Sequence, residues 1–462
     1  MHGRDAAAQP RLDALSLDIL DGSVVVPARG AGIIARARAY VGPAMLVGVG
    51  YMDPGNWGTD LAAGAGHRYA LLWVLVLASA MAVVLQVLAA RLGLATGRDL
   101  AQACHNYYPA WTRIPNWLLG EVAIAACDLA ELLGSAIALN LLFGIPMLWA
   151  VLVTGADVLL LLGFQRVGMR GIEAVVAVLV ATIAACFMIE LFVLPGTRPD
   201  LATIGAALTS PGLHGAAQAT IAVGIIGATV MPHNLYLHSA LVRSRRIPEE
   251  PDARGSAIRW NVVDTVAALS FAFLVNAAIL LLAAAVFHGR DAAVVDGVRI
   301  ALGPDSDWIR VAYLTLAPLI GIGVASTLFG VALLASGQAS TITATIAGQV
   351  VMEGFLNLRL TPWKRRLATR LAALVPAIAV VGLRGADNLN DLLVVSQVVL
   401  AFQLPFAMLP LLHFTSSRRI MRGVASGPLL LAAGWGSAAV IIGFDLYGLP
   451  GIVADIAHIL GA

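Results

Sequence analysis

Apolar residues run along this chain in blocks long enough to cross a bilayer, separated by short polar connections. A helix needs about 20 mostly apolar residues to span the hydrocarbon core. Eleven such stretches can be read, near 41–66, 69–91, 116–143, 146–164, 172–195, 213–241, 260–287, 310–337, 367–383, 389–412 and 427–449. The second is the cleanest, with no charged residue between Tyr69 and Ala90. The segment from about 338 to 358 is richer in Ser, Thr and Gln, and reads as a helix lying inside, against the membrane. Residues 1–40 carry charges throughout and no compact apolar core followed by a small-residue cleavage site. They read as a cytoplasmic tail, not a signal peptide.

Composition agrees. Of the 462 residues 59% are hydrophobic and only 12% charged, and the mean hydropathy is +0.86. A soluble chain of this size could not bury so much apolar surface, which excludes a soluble enzyme and a disordered protein. A net charge of +2 leaves no basic field for nucleic acid. Cys104, Cys127 and Cys186 are far apart and read as small core residues. With the N-terminus inside, 23 of the 29 Lys and Arg fall on inner segments. The positive-inside rule then places the N-terminus in the cytoplasm and, with an odd number of spans, the C-terminus outside.

Two spans are interrupted by the same kind of element. The first holds Gly50-Tyr51-Met52-Asp53-Pro54-Gly55-Asn56, and the sixth Ala228-Thr229-Val230-Met231-Pro232-His233-Asn234. Paired interruptions at corresponding places in two halves point to the binding site of an inverted-repeat transporter. Proline lacks an N–H, so Pro54 frees the carbonyl of Gly50 and Pro232 that of Ala228. Both oxygens lie at the C-terminal end of a half-helix, where the macrodipole favours a cation. With Asp53, Asn56 and Met231 the set offers a carboxylate, an amide oxygen, a thioether and two carbonyls. A single kink would be structural, but a carboxylate in mid-membrane costs at least about 2.5 kcal/mol and points to function.

On these motifs the sequence resembles the Nramp family of proton-coupled divalent metal transporters, from about residue 40 to 450. Asp53-Pro54-Gly55-Asn56 and Met231-Pro232-His233-Asn234 match the family's two helix-break motifs. The run Ala335-Ser336-Gly337-Gln338-Ala339-Ser340-Thr341-Ile342-Thr343, continuing to Met352-Glu353-Gly354-Phe355, resembles its inner-loop signature. The resemblance implies an all-α integral membrane protein of LeuT-type fold. Residues 41–195 and 213–412 would form two inverted five-span repeats, with 427–449 as an added eleventh span. It implies Asp53, Asn56 and Met231 as metal ligands, helped by the Gly50 and Ala228 carbonyls, with Gln397 joining in some conformations. Trp57-Gly58 and Ser79 depart from the family's commoner residues and bear on rate and gating, not on the class of metal.

The third span reads Glu121-x6-Asp128-x2-Glu131. At about 100° per residue the three carboxylates share one helix face, which suggests a polar path through the bundle; a structural ion-pair network is the alternative. The resemblance implies that Asp128 and Glu131, with Asp53, belong to the proton route, and that Glu121 pairs with Arg370. It also ties His233 and His238 to proton movement or gating. Five residues apart on a helix, these two histidines cannot form one metal site. The remaining histidines sit near span ends or in loops.

The expected function is secondary active import of manganese, and of ferrous iron, coupled to protons across a bacterial inner membrane. No permanent cofactor, nucleic-acid partner or obligatory protein partner is implied. Met231 weighs against a hard-cation, magnesium-type carrier on the same scaffold, because calcium and magnesium prefer all-oxygen sites. Asp53 and Met231 together would serve an amino-acid or amine substrate poorly. No nucleophile–base set or nucleotide loop suggests an enzyme.

Overall fold

The computed structural model describes residues 22–26, 32, 37, 39–156, 169–193, 201–247, 253–295, 298–303, 306–320, 324–358, 362–384, 389–421 and 424–460. Among these, eight helical runs are long and apolar enough to cross a membrane. They supply the second, third, fifth to eighth, tenth and eleventh of the expected spans. The other three fall short for separate reasons. The first span is split into α1 (Pro43–Gly50) and α2 (Pro54–His67). The fourth is described over Met147–Gly155, and its second half lies outside the described residues. The ninth, Pro362–Arg384, has its apolar stretch at Leu367–Ala379, after a basic first turn.

The bundle is built from α3 (Leu72–Thr96), α4 (Leu100–Tyr107), α5 (Arg113–Phe143), α6 (Met147–Gly155), α7 (Met169–Met188) and α8 (Leu201–Thr209) in its first half. The sixth span is split into α9 (Ala216–Val230) and α10 (Pro232–Leu241). Then follow α11 (Ala253–Val286), α12 (Trp308–Ile320), α13 (Val324–Leu356), α14 (Pro362–Arg384), α15 (Leu389–Ser416) and α16 (Pro428–Leu460). Two small sheets complete it. Val24–Val25 (β1) runs parallel to Arg245–Arg246 (β2), and Ala292–Val295 (β3) forms a hairpin with Val298–Ala301 (β4).

One expectation is corrected. The eighth span is not 310–337 followed by a separate helix against the membrane. Trp308–Ile320 is a short helix of its own, and Val324–Leu356 is one continuous helix that packs extensively against α5. Its Ser and Thr residues mark an inward face, not a membrane surface. Ser336, Ser340, Thr341 and Thr343 are all buried. Ser340 and Thr343 return their hydroxyls to carbonyls of the same helix at 3.0 and 2.8 Å. A polar side chain satisfied in this way sits at little cost in a membrane interior.

Small residues let the half-helices approach the bundle closely, as membrane helices require. A Cβ at Gly64 of α2 would lie 2.2 Å from the Leu280 carbonyl oxygen of α11, and one at Gly227 of α9 would lie 2.1 Å from that of Gln397 on α15. On the arginine-rich side the start of α1 is held from three elements. Asp264 of α11 accepts from the backbone N–H of Ala44 at 3.0 Å and of Gly42 at 3.5 Å, satisfying donors that a helix start leaves open. Arg245 pairs with Glu173 of α7 at 2.9 Å and donates to the carbonyls of Ala39 and Val41. The three cysteines are buried and free.

These contacts make a contrast testable within one helix. Gly64→Val drives a side chain into the α11 backbone, and overpacking of this kind costs about 1–3 kcal/mol or more. It should lower the melting temperature in detergent and broaden the size-exclusion peak. Gly66→Ala, where a Cβ meets nothing within 4 Å, should leave both unchanged.

Candidate metal site

At the first break the chain leaves α1 through a tight turn. Tyr51, Met52 and Asp53 donate their N–H groups to the carbonyls of Gly48, Val49 and Gly50 at 3.2, 3.0 and 3.3 Å. This corrects the reading of Gly50: proline removes one donor, but the Asp53 N–H closes on that carbonyl instead, so it is not left free. Asp53 then caps α2, its Oδ1 accepting from the backbone N–H of Asn56 at 2.9 Å. The carbonyls of the unwound stretch are taken by side chains of other elements. Asn276 of α11 donates to Tyr51 at 2.7 Å, and the Trp57 indole and the Ser336 hydroxyl donate to Met52 at 3.1 and 2.5 Å.

At the second break Met231 stands between α9 and α10 with φ 35° and ψ 106°. A non-glycine residue there costs of order 1–3 kcal/mol, and such strain tends to gather at functional sites. Met231 is fully buried, packs with Cys127, Ala344 and Leu400, and its sulfur accepts from the Asn234 amide at 3.4 Å. The Ala228 carbonyl, which Pro232 leaves without its helical donor, faces the first break.

The two breaks meet through one side chain. The amide nitrogen of Asn56 donates to Asp53 Oδ1 at 2.6 Å and to the Ala228 carbonyl at 3.1 Å. Asn56 Oδ1 in turn accepts from Asn276 at 3.3 Å. Asp53 Oδ2 and Gln397 Oε1 are buried with no hydrogen-bond partner. Gln397 of α15 lies against the first motif, its amide 1.9 Å from where a Cβ at Gly55 would be. A glycine is therefore required at Gly55 for the glutamine to sit there. Among the described residues no three His, Cys, Asp or Glu side chains gather as a metal-binding group. Any cation held here is held by a single carboxylate with neutral O and S donors.

Asp128 and Glu131 of α5 are fully buried, while Glu121, nearer the end of that helix, is half-buried and accepts from the Trp117 indole at 3.0 Å. Arg370 of α14, also buried, donates to the backbone carbonyl of Asp128 at 3.3 Å and to the Thr341 hydroxyl at 3.4 Å. The Thr341 hydroxyl in turn donates a hydrogen bond to Glu131 Oε2 at 3.1 Å. An arginine–threonine–glutamate chain thus links α14, α13 and α5. His233 is buried near enough to Asp128 to feel its charge. His238 belongs to a different network, with Nδ1 3.0 Å from Gln86 Oε1 and Nε2 3.5 Å from the Asn261 amide. Gln86 continues it to the Tyr51 hydroxyl at 2.9 Å.

Gln86, Asn261 and Asn276 lie outside every motif of the sequence. The signal was present: each is a polar residue inside a membrane-spanning helix, where the cost of burial demands a partner. They carry no charge, which is the feature that marks a functional residue most plainly within an apolar span.

Residues 44–450 match the family described as natural resistance-associated macrophage protein-like, Nramp. The chain is 49% identical to a protein named divalent metal cation transporter MntH from Nostoc sp., over 89% of this chain and 90% of that one. It is 49% identical to a protein of the same name from Xanthomonas campestris pv. campestris, over 92% and 93%. The crystal structure of the Eremococcus coleocola manganese transporter, in complex with an aromatic bis-isothiourea substituted compound, is 38% identical. It superposes with a TM-score of 0.83 over 97% of this chain and 92% of that one. A nucleobase-cation-symport-1 family transporter with bromovinylhydantoin bound, at 16% identity and a TM-score of 0.55, shares the fold alone. The LeuT-type architecture with two broken spans is therefore the fold of this chain, and the chain belongs to the Nramp family.

Proposed function

We propose that this protein is a secondary active transporter that imports divalent transition metal ions, manganese and ferrous iron, coupled to protons. The observation that carries the reading is the Asn56 bridge. It fixes a buried carboxylate, with one oxygen unpartnered, beside a helix-end carbonyl at the second break, where Met231 adds a thioether. A lone carboxylate with neutral oxygens and one sulfur suits a borderline metal better than calcium or magnesium, which take oxygen ligands. The ligand set is Asp53, Asn56, Met231 and the Ala228 carbonyl, with Gln397 recruited as α15 moves and Gly50 able to offer a second lone pair. The relatives named above as divalent metal cation transporters support the substrate class.

Protons enter by a separate route. Asp53 takes part as the metal carboxylate, and Asp128, Glu131 and His233 lie on the α5 side of it. His238 acts through the Gln86–Tyr51 network on the first break, and Glu121 with Arg370 ties α5 to α14. The repeats are 41–195 and 213–412. The chain sits in a bacterial inner membrane with its N-terminus in the cytoplasm and its C-terminus outside.

Uptake into proteoliposomes of manganese against magnesium, with an internal pH dye, tests this directly. Wild type should carry manganese and acidify the lumen; magnesium carried equally well would sink the reading. Asp53→Asn, which removes the only formal charge of the ligand set, should abolish uptake while the protein stays folded.

Met231→Ala makes room for a water in place of sulfur. Manganese accepts oxygen, so its affinity should fall only about tenfold (about 1.4 kcal/mol). Cadmium should lose more, and millimolar calcium or magnesium should begin to compete. A mutant that keeps its cadmium affinity and still excludes both hard ions would make Met231 a packing residue.

Glu131→Gln should leave manganese binding within about twofold, an effect under 0.5 kcal/mol, yet flatten the dependence of uptake on external pH. Unchanged proton entry would remove Glu131 from the route.

A further inference from the structure

A cavity of about 440 Å³ lies between α1, α7 and α11, on the arginine-rich half of the bundle, and reaches as far as Met52 at the first break. Met45, Gly48 and Met52 line it from the first span, Ala177, Val180 and Ala181 from α7, and Trp260 to Phe271 from α11. Asp264 is the one charged residue of the lining, and its carboxylate is turned to the N–H groups at the start of α1. The cavity opens sideways: Val263 and Phe271 of its wall are 58% and 40% exposed, on a helix that faces lipid. Such a lining offers water almost nothing to bond to and suits a hydrocarbon chain.

Length and charge identify which hydrocarbon. From Trp260 to Phe271 the groove follows about 16 Å of helix, close to the depth of one leaflet of a core about 30 Å thick. Trp260 stacks on Tyr40 with ring centroids 6.3 Å apart, at the level where aromatic side chains mark the membrane interface. Just before it, Arg254 and Arg259 are exposed on either side of the helix face that lines the groove. We infer that the groove between α1, α7 and α11 seats an acyl chain of an inner-leaflet anionic phospholipid, with Arg254 and Arg259 as the cationic groups that flank it at headgroup level. The chain fills the gap beside α1 and braces that half-helix against α7 and α11. This site is independent of the identity of the transported ion, and its leaflet follows from the orientation proposed above.

The test uses the full-length protein in nanodiscs of phosphatidylethanolamine and phosphatidylglycerol, with trace phosphatidylglycerol carrying a diazirine on its acyl chain. Illumination and peptide mass spectrometry should place adducts on the groove residues of α1, α7 and α11. Ala267→Phe and Ala181→Phe, both at lipid-exposed positions of the lining, fill the groove and should lose most of the labelling. Val266→Phe, lipid-exposed on the same helix but outside the groove, should keep it. Arg254→Gln with Arg259→Gln should abolish the preference for the phosphatidylglycerol probe over its phosphatidylethanolamine counterpart. Backbone amides of α1 should exchange more slowly in discs containing phosphatidylglycerol than in discs without it. Labelling spread evenly around the bundle, labelling unchanged in the filled variants, or crosslinks to a second copy of the chain would overturn the lipid site. Equal α1 exchange in the two discs would overturn the bracing. The size-exclusion profile of each variant reports on folding, and manganese binding reports separately on the proposed function.

Discussion

The amide of Asn56 is the constraint on which the centre of this protein depends. Both of its hydrogens are committed, one to Asp53 and one to the Ala228 carbonyl, and its oxygen accepts from Asn276. In a low-dielectric interior each of these bonds is strong, and each partner would be costly to leave unmade. The two broken spans are therefore registered against each other by hydrogen bonds before any metal arrives. Asp53 keeps one oxygen uncommitted. A carboxylate held on one side and open on the other can meet a cation at Oδ2 first, and the Asn56 and Ala228 oxygens join only as the bonds that hold them are exchanged for the ion.

Unwound backbone inside a membrane is tolerated only where protein supplies the missing partners. Here those partners come from widely separated parts of the chain. Asn276 serves Tyr51, while Trp57 and Ser336 serve Met52. The first break is thus specified by α11 and α13 as much as by its own proline. Trp57 is integrated into this scheme. Its ring packs edge-on against Phe187 and Phe329 while its indole N–H holds the turn.

Much of this architecture was legible in the sequence, for a physical reason. A membrane helix announces itself by length and hydrophobicity, and a proline within one marks where hydrogen bonding must fail. Pro54 and Pro232 therefore located both breaks. What proved hard to read was polarity without charge. The Ser, Thr and Gln of 338–358 read as a helix against the membrane because composition does not say which way a face points. The donor that closes on Gly50 was invisible, since it comes from the turn's own backbone and not from a motif. Asn276 and Gln86 matter through partners on other helices, and a single sequence carries no record of those pairings.

The two-residue ladder between Val24–Val25 and Arg245–Arg246 joins the chain before α1 to the chain just after α10. It couples the entry of one broken span to the exit of the other by backbone hydrogen bonds, close to where Arg245 grips Ala39 and Val41. Mechanically it is a short strap. An outward swing of α1 cannot proceed as the free motion of an eight-residue helix. It must carry Arg245 and the end of α10 along, or first break that arginine's bonds to Ala39 and Val41. Arg245, anchored in the ladder and paired with Glu173, therefore sets a minimum load on any opening of this side of the bundle, borne by a stretch of sequence outside both breaks.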